Sequence, residues 1–278
     1  MRIVRILTLA MVFAVGLTAR PASAASLMWV VENQSNNVYT VDVNTLTATL
    51  VGSAGVDVVF GGLGFAQNGT LYAWNTNPGN LYTVSQTTGA FTLVGGSSLF
   101  GADTFDINPL TNEAIAWSVD GSLNDVNLAT GGTSFRVNTS PSTVGVDSAF
   151  GSDGTFYQMD PFNSNVLSRV NTTTGAVTAI GGSGPNFSAT NLSFNPDNNM
   201  LYTIAIFNAA FPLYQINPLT GARVFVGNIT GLGNNPNQQI TMGTFNVAGQ
   251  TAVPEPATMA LVGAGLLTAA RRLRRRSA

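Results

Sequence analysis

One unit recurs along this chain, and no other feature restricts its fold as strongly. It reads Val38-Tyr39-Thr40-Val41 through Leu50-Val51-Gly52, then Leu81-Tyr82-Thr83-Val84 through Leu93-Val94-Gly95, then Leu213-Tyr214-Gln215-Ile216 through Phe225-Val226-Gly227. Weaker copies occupy residues 123–137 and 166–181. In each copy two alternating apolar runs flank a turn, for example Gln86-Thr87-Thr88-Gly89 or Asn217-Pro218-Leu219-Thr220-Gly221. Proline at the first corner and glycine where φ must be positive are what a short hairpin connection requires. Gly89, Gly131, Gly175 and Gly221 are spaced by 42, 44 and 46 residues, and Leu46 stands 43 before the first, so five hairpins are expected.

A second set of runs lies between the hairpins, marked by Phe65, Phe105, Phe150, Phe194 and Phe245. The first four are followed by turn-rich loops, among them Gln67-Asn68-Gly69 and Asn108-Pro109-Leu110-Thr111-Asn112, and then by another apolar run such as Leu71-Tyr72-Ala73-Trp74. Each repeat is therefore four short strands. Phe245 lacks a following run, whereas Leu27-Met28-Trp29-Val30-Val31 precedes the first hairpin with no phenylalanine strand before it. Half a repeat at each end is the mark of a closed ring. Four-stranded units of about 43–46 residues arranged radially are β-propeller blades. The expected fold is all-β, a five-bladed propeller whose last blade is shared between the chain ends. A β-solenoid or a pair of β-sandwiches is the alternative, and the body shows no amphipathic helix pattern.

The two ends read as addresses. Arg2 and Arg5, the apolar stretch 6–19 and the small-x-small site Ala22-Ser23-Ala24 have the layout of a secretory signal peptide, so residues 1–24 are expected to form a signal helix that is cut away after Ala24. The other end reads Val253-Pro254-Glu255-Pro256, then a mostly apolar stretch over 257–270, then Arg271, Arg272, Arg274, Arg275 and Arg276 within the cluster 271–276. The arginines resist crossing, so this is a stop-transfer signal. Its apolar stretch is a short transmembrane helix and only a marginal anchor, since about 20 residues span a bilayer.

Val-Pro-Glu-Pro, a short apolar helix and an arginine cluster together at the C-terminus resemble the PEP-CTERM sorting tail. The resemblance covers residues 253–278 and leaves 25–252 as the propeller body. It implies a Gram-negative bacterium whose exosortase, a membrane enzyme resembling a cysteine transpeptidase, recognises Pro-Glu-Pro and removes the helix. The protein would contact the inner membrane transiently through 257–270 and then reach the cell surface or the exopolysaccharide matrix of a biofilm.

Charge narrows the partners of the body. Without its ends the chain keeps three arginines (Arg136, Arg169 and Arg223) against twelve carboxylates and no lysine, a net charge of −9. Nucleic acid and anionic lipid surfaces are poor candidates as partners, because both demand a basic face. Neutral Asn, Thr, Ser and Gly must cover the surface, since a usual domain is ~25 per cent charged and this body is far below that.

Catalysis can be narrowed in the same way. With no histidine, cysteine or lysine, the body cannot build a Ser-His-Asp triad, a thiol nucleophile or a Schiff base, and zinc is unsuited to it. Carboxylate chemistry remains, but no spacing picks out an acid pair. No catalytic or cofactor-binding residue is therefore assigned. The oxygen-rich turns at Asp153-Gly154, Asp197-Asn198-Asn199 and Asp160 with Asn163 and Asn165 could ligate Ca²⁺, although Asp and Asn already serve there as turn formers. The regular aromatic positions could stack on sugars, but recurrence in every repeat points to core packing.

The expected function is that of an exported, non-catalytic binding or structural module that meets exosortase during processing and then exopolysaccharide or another surface protein. The alternatives are a carboxylate-dependent hydrolase or lyase of carbohydrate, with or without the assistance of calcium, and a surface receptor that senses a ligand.

Overall fold

Short runs alternating between apolar and polar residues pair into sheets when each has a turn to reverse it. The computed structural model describes residues 27–246 apart from 98, 100, 143–147, 161–164, 188–190, 206–209 and 234–238. The expected signal helix and cleavage site at 22–24, the sorting motif 253–256, the apolar helix 257–270 and the arginine cluster lie outside the described residues.

Twenty strands form five four-stranded antiparallel sheets. Blade 2 holds β4 (Gly61–Phe65), β5 (Leu71–Asn75), β6 (Asn80–Val84) and β7 (Phe91–Gly96). Blade 3 holds β8 (Thr104–Ile107), β9 (Ala114–Trp117), β10 (Ser122–Val126) and β11 (Thr133–Asn138). Blade 4 holds β12 (Ser148–Phe150), β13 (Phe156–Asp160), β14 (Val166–Val170) and β15 (Val177–Gly181). Blade 5 holds β16 (Leu192–Asn195), β17 (Met200–Ile204), β18 (Phe211–Ile216) and β19 (Arg223–Ile229). Blade 1 joins β1 (Met28–Glu32), β2 (Asn37–Asp42) and β3 (Thr47–Ser53) to β20 (Ile240–Phe245) from the other end of the chain. The innermost strands β4, β8, β12, β16 and β20 touch in succession around the ring. The fold is the expected five-bladed propeller, and the expected closure is the pairing of β1 with β20, Met28 opposite Phe245 and Val31 opposite Met242.

The core is divided among the blade interfaces rather than pooled in one place. Trp29 of blade 1 meets Phe65 of blade 2 edge-on, with ring centroids 6.3 Å apart. Tyr157 of blade 4 stacks on Phe194 of blade 5 at 6.5 Å, and Tyr202 of blade 5 meets Phe245 of blade 1 at 5.6 Å. Leu71, Leu81, Leu123 and Leu167 are completely buried, each contributing about 1.5–3 kcal/mol by leaving water.

Two devices on the outer strands fit the blades together. Every outer hairpin carries a β-bulge at the same place, between Val38/Tyr39, Leu81/Tyr82, Leu123/Asn124, Leu167/Ser168 and Leu213/Tyr214. Bulges bend and twist an edge strand away from further pairing. Just beyond, a glycine of the outer strand meets the hairpin turn of the next blade. A Cβ on Gly52 would lie 2.0 Å from the carbonyl oxygen of Thr88, and one on Gly95 2.0 Å from that of Thr130. Only a residue without a side chain permits this approach. In the turns themselves Gly89, Gly131, Gly175 and Gly221 have positive φ, and Leu46 adopts the same conformation at φ 57°.

One assignment is corrected. The residue just before each inner turn is Phe65, Ile107 and Phe150, as shown by the turn-closing bonds from the N–H groups of Ala66, Asn108 and Gly151 to the carbonyls of Thr70, Glu113 and Thr155. Ile107, not Phe105, is therefore the counterpart of Phe65. Phe105 sits two residues earlier on β8, where it stacks on Trp74 at 6.5 Å.

Candidate functional site

The five innermost strands run in one direction and end together, so their last side chains form a collar around the propeller axis. Phe65, Ile107, Phe150, Phe194 and Phe245, one from each blade, line a cavity of about 40 Å³ with Pro109, Ser152, Pro196 and Asn246 on its outer wall. That volume holds a few waters and is well below the 300 Å³ or more of an ordinary ligand pocket. The collar rings are mostly buried, with Phe65, Phe150 and Phe245 at 3%, 5% and 4% exposure, which leaves no open platform for stacking a sugar. The turns behind the collar are tied blade to blade: Gln67 donates through Nε2 to the carbonyls of Pro109 and Leu110, and Ser152 Oγ donates to Asn199 Oδ1.

One step in from the collar, the equivalent positions are Gly64, Asp106, Ala149, Ser193 and Thr244. Only Asp106 among these is ionisable, and it also lines the cavity. Its Oδ1 accepts from the N–H of Ile107 and its Oδ2 from the N–H of Phe150, both at 2.7 Å. The second bond crosses from blade 3 to blade 4. Burial pushes the carboxyl up to about 7, against the Phe150 and Ile107 N–H groups that favour its charged form.

Deeper in, the inner strands are joined by polar side chains. Thr104 Oγ1 and Ser148 Oγ lie 2.7 Å apart across blades 3 and 4. Asn191 donates through Nδ2 to the carbonyls of Ile204 and Ile240 and accepts at Oδ1 from the N–H of Ile204, joining blade 5 to β20.

The described residues considered for calcium each have partners within the protein, although the Ser152–Asn199 bond sets two of the turns side by side. Asp153 accepts from the N–H and the hydroxyl of Thr155 within the β12–β13 turn. Asn198 donates to the Tyr202 hydroxyl in the β16–β17 turn, and Asn199 has φ 56°. Asp160 ends β13 at the opposite face, and Asn165 is buried with its amide exchanging bonds with the backbone of Phe187. Asn163 lies outside the described residues. No group of three acidic side chains able to hold a metal occurs among the described residues.

Asp106 was not singled out from the sequence. Its signal is a carboxylate between two apolar residues of an inner strand, where the other repeats carry Gly, Ala, Ser or Thr.

The PEP-CTERM protein-sorting motif matches residues 252–276. This motif implies export and sorting to the cell surface or extracellular space, with recognition by an exosortase during processing. No curated protein matches the chain. A chain in the crystal structure of a nidogen/laminin complex is similar with a TM-score of 0.52 at 13% identity, covering 80% of this chain and 82% of that one. Virginiamycin B lyase from Staphylococcus aureus aligns with a TM-score of 0.45 at 12% identity, over 71% of this chain and 64% of the lyase. At these identities the likeness to the nidogen/laminin chain establishes the fold alone.

Proposed function

We propose that the exported protein is a non-catalytic binding or structural module of the cell surface or extracellular matrix, with exopolysaccharide as the partner to which its neutral, hydrogen-bonding surface is suited. The observation that carries this reading is the axial cavity. It is too small for a substrate, and Asp106 is the sole carboxylate among its lining residues. A wider cleft of about 490 Å³ on blade 3 does hold two carboxylates, Glu113 and Asp125, but the Arg136 guanidinium stands between them at 3.1 and 2.7 Å and fills the place a glycosidic bond would need. Glycoside hydrolysis needs two carboxyl groups about 5–10 Å apart across the scissile bond. Both oxygens of Asp106 are also occupied by backbone N–H groups, which suits a structural acid better than a proton donor.

The test is retention of the mature protein, residues 25–252, on purified exopolysaccharide and on a glycan array, with turnover assayed on the same polymers. Retention without cleavage is the expected result. Release of reducing ends or unsaturated products that disappears in Asp106→Asn would replace this reading with that of a hydrolase or lyase. No retention on any envelope polymer would leave a partner protein as the ligand.

A further inference from the structure

The described chain finishes at the axial cavity. β20 is the innermost strand of blade 1, its last residue Phe245 belongs to the collar, and Asn246 lies on the cavity wall. β1 begins alongside, since Met28 pairs with Phe245. Both ends of the described body thus lie at one face, and its C-terminal end lies at the axial cavity.

Residues 247–256 separate that end from Ala257, the first residue of the apolar stretch. Ten residues reach at most ~33–36 Å when fully extended, and as a flexible chain they average ~17–19 Å. A compact body of about 220 residues has a radius of gyration of roughly 17 Å, hence a radius of roughly 22 Å if spherical. To bring the far face against a bilayer, the tether would have to pass around half that girth, roughly 70 Å. This is about twice its fully extended length.

We infer that the collar face is the surface turned toward the bilayer for as long as the tail is anchored, and that the opposite face is the one offered to the outside. The inference rests on the reading of 257–270 as a membrane anchor. The partner across the gap is the lipid surface itself, approached by tethering and not by charge. The collar face carries Asp153 and Asp197 in its turns and Glu113 at the end of the β8–β9 turn; its cations are Arg136, paired with Glu113 and Asp125, and Arg169 near the collar end of β14, so the balance there is acidic and unsuited to anionic headgroups. Once the tail is removed, nothing holds the face there.

The chain has no cysteine, so single introduced thiols report without background. Leu110, in the β8–β9 turn at the collar face, is 59% exposed, and Val119, in the β9–β10 turn at the other end of β9, is 46% exposed. Leu110→Cys and Val119→Cys are made in the full chain, recovered in right-side-out membranes from cells lacking the processing enzyme, and labelled with a maleimide-linked polymer too large for a gap of ~17–19 Å. The expected result is severalfold slower labelling of Leu110→Cys than of Val119→Cys in membranes. The two rates should become equal in chains ending at residue 252, and those chains should not bind vesicles containing phosphatidylglycerol. Equal rates in protein that resists carbonate extraction, or slower labelling of Val119→Cys, would overturn the orientation while leaving the anchor intact. Protein that carbonate strips from the membrane would instead overturn the anchor reading, and the orientation with it.

Discussion

Replacing Gly95 by alanine isolates the contact that sets the distance between blades. Gly95 is absent from the positive-φ glycines, so alanine meets no backbone penalty there. Its Cβ would stand 2.0 Å from the Thr130 carbonyl oxygen and 3.0 Å from the carbonyl carbon. An ordinary C···O contact is about 3.3 Å or longer, so the blade-3 turn must retreat by more than ~1 Å. That turn resists, because Asn127 Oδ1 accepts from the N–H groups of Ala129 and Thr130, and the Asn127 carbonyl accepts from Gly131. No rotamer change can relieve a clash between backbone atoms. Overpacking of this kind costs about 2–3 kcal/mol, which lowers Tm by roughly 4–12 °C for a domain of this size. The control is Gly132→Ala, whose Cβ would meet nothing closer than Thr130 Oγ1 at 3.4 Å. There the loss of unfolded-state freedom should stabilise by about 0.4–1 kcal/mol. Thermal unfolding of residues 25–252, followed by circular dichroism and by the fluorescence of Trp29, Trp74 and Trp117, reads both variants. If Gly95→Ala melts within a degree of wild type, the recurring glycine is not a spacer between blades.

Three further outcomes follow from the same structure. Because folding raises the Asp106 carboxyl from 3.8 to about 7, its contribution is fully present below pH 3.8 and is lost as pH rises toward 7. Urea titrations should show stability falling across that window by at most about 4 kcal/mol, and Asp106→Asn should flatten the slope whatever it does to the absolute level. Asn191→Ala should destabilise by about 1–3 kcal/mol, measured by the urea midpoint at unchanged slope, since it strips buried backbone groups of Ile204 of their partner. Replacing Pro254, Glu255 and Pro256 by alanine should leave a chain with its C-terminus intact in the membrane fraction, read by intact mass after fractionation.

Much of this architecture was legible because a propeller repeats local signals. Hairpin turns, alternating runs and the split repeat are all written within a few residues of one another, and the pairing of β1 with β20 could be inferred from what each end lacked. The register of β8 could not. A shift of two residues keeps every side chain on its own face, so Phe105 and Ile107 satisfy the same alternation, and only the position of the turn at Asn108 distinguishes them. The recurring Gly52, Gly95, Gly181 and Gly227 were visible as a pattern, but their cause is the approach of a neighbouring blade, at Thr88, Thr130 and Thr220 for the first three and at Leu46, from the other end of the chain, for Gly227. Asp106 was hidden for a related reason: its neighbours around the axis come from four other strands.

The shared blade also sets an order of events for a chain delivered across a membrane from its N-terminus. β1 waits beside an empty place until Phe245, 217 positions later, has emerged, so the earlier blades must persist as an open arc with exposed interfaces. Contacts this distant in sequence form slowly. On the proposed reading of 257–270 as a membrane anchor, the segment that would halt transfer comes shortly after the strand that completes the circle, so the halt would leave the last strand outside just when the arc needs it. Folding and arrest are thereby placed in sequence, and a tail moved nearer to Phe245 would hold the last strand back from its partner.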